Sequence, residues 1–182
     1  FPTRRSSDLF EKKLVRNINT KEEYKQLSKP VVFCVSAVNN SGKTWLIERL
    51  INEFIQEGHR VAVIKHDGHD YQMDYDNTDT KRFSDAGAIV SAIFSDTRYS
   101  INGKGKTSIE EMISRVKDVD VIIIEGLKGS DYPKIEIVRR EVSRECVCHF
   151  DHLICLATDV ISPEKMNCPV FHPDDTRGIF LC

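Results

Sequence analysis

From Pro30 onward the chain alternates short apolar runs with stretches of helical period, and this alternation predicts strands and helices in turn. The first apolar run, Val31 to Ser36, breaks into a small polar loop. It is followed by a helix from Lys43 to Gln56, with Leu46, Ile47, Leu50, Ile51, Phe54 and Ile55 at helical spacing and Gly58 as its stop. Val61 to Ile64 reads as the second strand, running into Lys65-His66-Asp67-Gly68-His69, with an acidic, aromatic loop from Asp70 to Asn77 beyond it. A short helix is predicted over 78–88, with Gly87 at its end, then a strand from Ile89 to Phe94. Asn102-Gly103 is the strongest hairpin-turn signal of the chain. A helix capped by Thr107 or Ser108, with Glu110 and Glu111 in its first turn, leads to Val121-Ile122-Ile123-Ile124. Four consecutive aliphatics predict a central parallel strand buried on both faces. Pro133 to Arg139 alternates apolar and polar and predicts a half-exposed strand. Leu153 to Ala157 is the last core strand, and Pro169-Val170-Phe171 a short edge piece. The whole predicts an α/β domain, a mostly parallel sheet with helices on both faces and a small β-hairpin insertion.

The loop after the first strand carries the sharpest chemistry. Asn40-Ser41-Gly42-Lys43-Thr44 between a β-branched strand and an amphipathic helix has the build of a phosphate-binding P-loop. Its backbone N–H groups wrap phosphate oxygens, Lys43 reaches the β- and γ-phosphates, and the Thr44 hydroxyl ligates Mg²⁺. The helix directs its positive end at the same anion. Ala37 stands where the pattern opens with glycine, a substitution that a negative φ tolerates. Three further strand ends share that edge of the sheet: His66-Asp67, Glu125-Gly126 and Thr158-Asp159. Glu125, directly after four aliphatics, suits a metal-linked or activated water near the γ-phosphate, and Gly126 lets backbone approach a phosphate. Asp67 is a second carboxylate for the metal shell, so Thr44, Asp67 and Glu125 form the candidate metal set.

Other residues read more plainly. His66 and His69 are expected as polar loop residues. Asp79 and Arg82, three apart on a helix, serve either a ligand or each other. Lys128 and Lys134 flank a glycine-bearing loop, and surface positions are expected for them. Cys146-Val147-Cys148-His149 has residue types that bind zinc but not the commoner C-x₂-C spacing, and no second close pair supports it.

Composition limits the partners. The 182 residues, 40% hydrophobic and 30% charged, suit one globular domain, which the pattern places at 30–182. The first nine residues are aperiodic and resemble the in-frame translation of a common sequencing adapter. Residues 10–29 are a Lys/Glu-rich leader, helical around Lys21 to Leu27 or disordered. A formal net charge of −2 gives no basic footprint for nucleic acid, and no apolar run approaches the roughly eighteen residues of a membrane span. A cytoplasmic protein with six reduced cysteines is expected.

The chain resembles the molybdopterin-guanine dinucleotide biosynthesis protein B family over about residues 31–172. The resemblance rests on Asn40-Ser41-Gly42-Lys43-Thr44, Val63-Ile64-Lys65-His66-Asp67-Gly68-His69, Asp79-Thr80-Lys81-Arg82 with Ala86-Gly87-Ala88, Ile124-Glu125-Gly126-Leu127-Lys128, and Pro133-Lys134-Ile135-Glu136-Ile137 with Arg139. It implies a P-loop NTPase-like fold, GTP and Mg²⁺ as ligands, a homodimer, and an adaptor role beside the guanylyltransferase that joins GMP to molybdopterin, with molybdopterin itself a candidate ligand. With GTP as ligand, Thr158-Asp159 becomes the candidate base reader, since a carboxylate past the last apolar strand accepts from N1 and N2 of guanine. Two rival classes are a small-molecule kinase on the same loop, which would want an arginine-rich lid, and a metal-chaperone NTPase, which would need Cys146, Cys148 and His149 as its ion cluster.

Overall fold

The computed structural model describes residues 29–68, 78–160 and 166–182; the expectations for residues 1–9, for the leader up to 28, for His69 and for the loop at 70–77 lie outside them. The chain divides into two compact units, Asp67–Arg115 and the remainder on either side of it.

The larger unit is built on a six-stranded sheet of order β2-β5-β1-β6-β7-β8, all of it parallel. Its strands are β1 (Val31–Ser36), β2 (Val61–Lys65), β5 (Val121–Glu125), β6 (Lys134–Val138), β7 (Leu153–Thr158) and the two-residue edge strand β8 (Val170–Phe171). Parallel strands buried on both faces read as continuous apolar runs, and β5 obeys: Val121 to Ile124 are all buried between β1 and β2. On one face Phe33, Val35, Ile123, Ile135, Ile137, Cys155 and Ala157 form a single core with Leu46, Ile47 and Leu50 of helix α1 (Lys43–Gln56). Gly58, at φ 87°, ends the turn after that helix as expected. Ile179 of a second helix, α4 (Thr176–Leu181), joins the same core, and the Arg177 guanidinium ties it to Glu53 of α1 and to Glu57 directly after it at 2.6 and 2.9 Å. The sequence pattern carried no sign of α4: it is six residues long and capped by Asp175, whose carboxylate accepts from Gly178 N at 2.9 Å.

β6 departs from expectation. All five of its residues are buried, Lys134 and Glu136 included, because the strand lies inside the sheet between β1 and β7. Each polar side chain is satisfied by backbone. The Lys134 ammonium donates to the carbonyls of Ser130 and Tyr132 at 2.6 and 2.7 Å, and the Glu136 carboxylate accepts from the amides of Val147 and Cys148. Lys134 is therefore not the surface lysine its type suggests, whereas Lys128 is exposed.

The smaller unit holds helix α2 (Asp79–Asp85), strands β3 (Val90–Phe94) and β4 (Tyr99–Gly103) in an antiparallel pair, and helix α3 (Ile109–Arg115). Thr78 caps α2 by accepting from Lys81 N, and Gly87 follows at φ 107°. Ser108 and Glu111 of α3 exchange bonds in a capping box, Glu111 N to Ser108 Oγ at 3.2 Å and Ser108 N to the Glu111 carboxylate at 3.3 Å. The hairpin is present but its turn is not at Asn102-Gly103. Those two residues pair with Ser91 and Val90 inside the ladder, and the reversal falls at Ser95–Arg98, closed by Ser95 N donating to Arg98 O at 2.7 Å. In this register Phe94 lies opposite Tyr99 and Ala92 opposite Ile101, and the Ser95 hydroxyl completes the turn by accepting from Arg98 N at 3.2 Å.

Candidate nucleotide site

At the carboxyl edge of the sheet β1 gives way to the loop 37–42 and then to α1. Ala37 does not have a positive φ, so alanine fits where the pattern has glycine. The loop turns instead on Asn40 at φ 59° and Gly42 at φ 90°, a conformation that asparagine tolerates and glycine adopts freely. Ser41 is buried, its hydroxyl donating to Val38 O at 2.8 Å, and the Lys43 ammonium reaches back to the same carbonyl at 2.9 Å. Gly42 is the N-cap of α1, and no side chain caps the helix. The first-turn amides at Lys43 and Thr44 thus point out of the helix end as donors for an anion, with the lysine folded over the loop and the Thr44 hydroxyl exposed.

The end of β5 is bound to this loop's base. Gly126 N donates to Val35 O at 3.0 Å, and the buried Ser36 hydroxyl returns a bond to Gly126 O at 2.5 Å. On the other side His66 N donates to Glu125 O at 3.0 Å, and a Cβ added to Gly126, whose φ is 108°, would sit 3.1 Å from His66 O. Glycine at this position is a requirement of the close approach between the ends of β5 and β2. Glu125 itself is largely buried, with 13% of its side chain exposed and Oε1 4.0 Å from the Lys65 ammonium. The structure so brings Ser41, Gly42, Lys43, Thr44, Glu125 and Gly126 to the ends of the adjacent strands β1 and β5. Asp67 is the first residue of the smaller unit, directly after His66.

Thr158-Asp159 ends β7, two strands away from β1 across β6. Thr158 Oγ1 accepts from Val160 N at 3.1 Å, and Asp159 Oδ1 accepts from Arg140 N at 2.8 Å, so one oxygen of that carboxylate anchors the turn after β6. Arg139, on the near side of the same turn, belongs to the stretch that carries the family resemblance but was given no role at the site from the sequence. Its Nη1 lies 3.7 Å from where a Gly42 Cβ would be, beside the loop. Asp79 and Arg82 pair with each other at 3.4 Å, both well exposed.

Cys146, Cys148 and His149 do not assemble as an ion cluster. The amide of Cys148 is spent on Glu136, and His149 Nδ1 faces Asp151 at 3.4 Å. Burial, with the Glu136 carboxylate adding to it, pushes the Cys146 thiol up to about 11 and the Cys148 thiol up to about 12. Among the described residues no group of three or more His, Cys, Asp or Glu side chains is set to hold a metal ion. All six cysteines are free thiols in the structure.

The model of the family described as molybdopterin guanine dinucleotide synthesis protein B matches residues 32–159. The chain is 30% identical over 129 residues to the molybdopterin-guanine dinucleotide biosynthesis adapter protein of Haemophilus influenzae, covering 69% of this chain and 72% of that one. It is 29% identical over 155 residues to the probable adapter protein of Bacillus subtilis, covering 82% and 89%. Its structure resembles the crystal structure of Bacillus subtilis MobB with a TM-score of 0.67 at 25% identity, over 84% of this chain and 94% of that chain, which shares the P-loop NTPase-like arrangement of sheet and helices.

Proposed function

Because the chain belongs to the molybdopterin guanine dinucleotide synthesis protein B family, whose members here are named adapter proteins of molybdenum cofactor biosynthesis, we propose that it binds GTP and assists a separate guanylyltransferase in joining GMP to molybdopterin. The observation that carries the nucleotide part is the loop itself: Gly42 in the left-handed region, an uncapped α1, and Lys43 held over Val38 O at 2.9 Å. A triphosphate takes the place of that carbonyl as the lysine's partner, and the first-turn amides complete its coordination.

The donor set suits Mg²⁺, which prefers hard oxygen ligands and keeps several waters. Thr44 stands in the first turn of α1, the helix that follows β1, and Glu125 ends the neighbouring strand β5; these two are the residues proposed to hold the ion directly or through water. Bound there, Mg²⁺ neutralises charge on the β- and γ-phosphates. Thr158-Asp159 is proposed as the guanine reader, since Asp159 keeps a second carboxylate oxygen beyond the one that accepts from Arg140 N. Molybdopterin is proposed as a further ligand at the same edge of the sheet.

A homodimer belongs to the same reading. It is supported by the smaller unit, where Phe94, Tyr99 and Ile101 lie on one face of the hairpin and are all exposed, an apolar surface that a second copy would cover. Cytoplasmic location, in line with six free thiols, is part of it too.

The adaptor role is tested by reconstitution. The protein alone is expected to hydrolyse GTP slowly, on the order of 10⁻⁴ to 10⁻² per second. It is expected to make no dinucleotide without the transferase and to raise the yield when the two are mixed. Efficient GMP transfer by the isolated protein would replace the adaptor with an enzyme. The nucleotide site is tested by calorimetric titration of GTP and ATP with Mg²⁺ against wild type and Lys43→Ala. Loss of one charge-assisted contact should cost GTP at least about 2 kcal/mol with the circular dichroism unchanged. Equal affinity in the two proteins rejects the P-loop reading.

A further inference from the structure

Arg139 is the first residue after β6, and β6 pairs in parallel with β1, Ser36 opposite Glu136. The strand that ends at Arg139 is therefore the neighbour of the strand that opens into the phosphate loop. The turn beyond it is fixed by Val142 N and Ser143 N, which donate to Arg139 O at 3.0 and 2.8 Å, so the backbone of Arg139 is held in place. Its guanidinium is half-buried and stands beside Gly42, Nη1 3.7 Å from the Cβ position that glycine leaves open.

The environment of this guanidinium sets it apart. Arg60, Arg82 and Arg177 are each tied to carboxylates, and Arg49, Arg98, Arg115 and Arg144, which also have no carboxylate partner among the described residues, are exposed, whereas Arg139 is half-buried. Arg139, among the described residues, makes no ion pair and no side-chain hydrogen bond, and no described Asp or Glu lies within ion-pair reach of it. A half-buried cation without an anion, next to the residue that starts a phosphate-type helix, lacks the partner that ordinarily accompanies burial. The planar fork of a guanidinium matches phosphate oxygens, and its weak hydration makes it the cation of choice for a partly desolvated anion site.

We infer that Arg139 is a phosphate-binding residue, donating from the neighbouring strand to the polyphosphate of a nucleotide held in the loop 37–44, so that the site takes its cations from two elements, Lys43 and Arg139. This rests on the nucleotide reading of the loop. It leaves the φ of 90° as the reason for glycine at position 42, since a Cβ there would meet Nη1 in ordinary contact at 3.7 Å. It also makes the arginine part of the chain itself and not a contribution from a partner.

The experiment is a titration of GTP, GDP and guanosine, with Mg²⁺, into wild type, Arg139→Gln, Arg139→Lys and Lys43→Ala, at low and at high NaCl. Arg139→Gln should weaken GTP by at least about tenfold, the scale of one charge-assisted contact, and leave guanosine unchanged. Arg139→Lys, which keeps the charge without the fork, should fall between the two. The gap between wild type and Arg139→Gln should narrow as salt screens it, a response that a structural defect would not give. The GDP arm tells which phosphate is touched: an equal loss for GTP and GDP places the contact on the α- or β-phosphate, a loss confined to GTP on the γ-phosphate. If Arg139→Gln binds GTP within about twofold of wild type while Lys43→Ala does not, the assignment of Arg139 fails and the loop reading stands. If wild type itself binds no nucleotide, both fail together.

Discussion

At the scale of single residues, Gly126 carries a conformational demand that the sequence suggested only as room for a ligand. Its φ of 108° and the 3.1 Å that would separate a Cβ from His66 O make alanine strained there and sterically opposed by backbone. Gly126→Ala is expected to lower the unfolding free energy by about 1–3 kcal/mol, read as a lower urea midpoint at constant slope. Asp159 poses a different question, because one of its oxygens already accepts from Arg140 N at 2.8 Å. Asparagine preserves an acceptor for that amide, so Asp159→Asn should leave the melting temperature in place and still cut GTP affinity more than ATP affinity. Equal loss for the two nucleotides would make Asp159 a strand-end anchor and nothing more. Ala37 illustrates the opposite outcome: the departure from the glycine pattern is harmless because the left-handed positions fall at Asn40 and Gly42.

Among the elements, β6 shows how a pattern misleads when burial is decided by neighbours. Its alternation of polar and apolar residues predicts one face in water, yet the polar face is turned into the protein and satisfied by two loops. Lys134 holds the 127–132 segment and Glu136 holds 147–148. Lys134→Met keeps the volume but leaves the carbonyls of Ser130 and Tyr132 without their donor, and should cost about 1–3 kcal/mol in chemical denaturation. Cys146 and Cys148 lie in the segment that Glu136 holds, and burial raises both thiols. A folded pKa above the unfolded value favours the native state while the thiol is protonated. Their contribution is therefore full below the ordinary thiol range near 8.5 and is lost as pH climbs towards about 11 and about 12. In alkylation with iodoacetamide at mildly alkaline pH, peptide mapping should find Cys182 modified before Cys148. Cys182 is exposed and its thiol is lowered by the hydrogen bond with Cys155, whereas Cys148 is buried. Faster labelling of Cys148 would show that the 139–149 segment opens readily.

For the whole molecule, the proposed dimer makes the exposed hairpin the test. Phe94 is 84% exposed on β3, so Phe94→Asp should leave the fold unchanged and shift the mass in solution from dimer to monomer, as light scattering would report. A dimer that survives the change places the interface elsewhere. Apart from α4, the sequence by itself determined the order of strands and helices, because apolar period and stop and cap chemistry are local: β5 from its four aliphatics, α1 from its spacing, α2 from its stop at Gly87 and α3 from Ser108. It also marked the contiguous residues 37–44 as the candidate phosphate loop. Tertiary structure alone decided what depends on pairing between distant segments. The parallel order β2-β5-β1-β6-β7-β8 set which strand ends meet, the hairpin register moved the turn from Asn102-Gly103 to Ser95–Arg98, and the place of β6 beside β1 buried Lys134 and Glu136 and brought Arg139 to Gly42. Those contacts join residues tens of positions apart, and no local rule of period or propensity encodes which strands become neighbours.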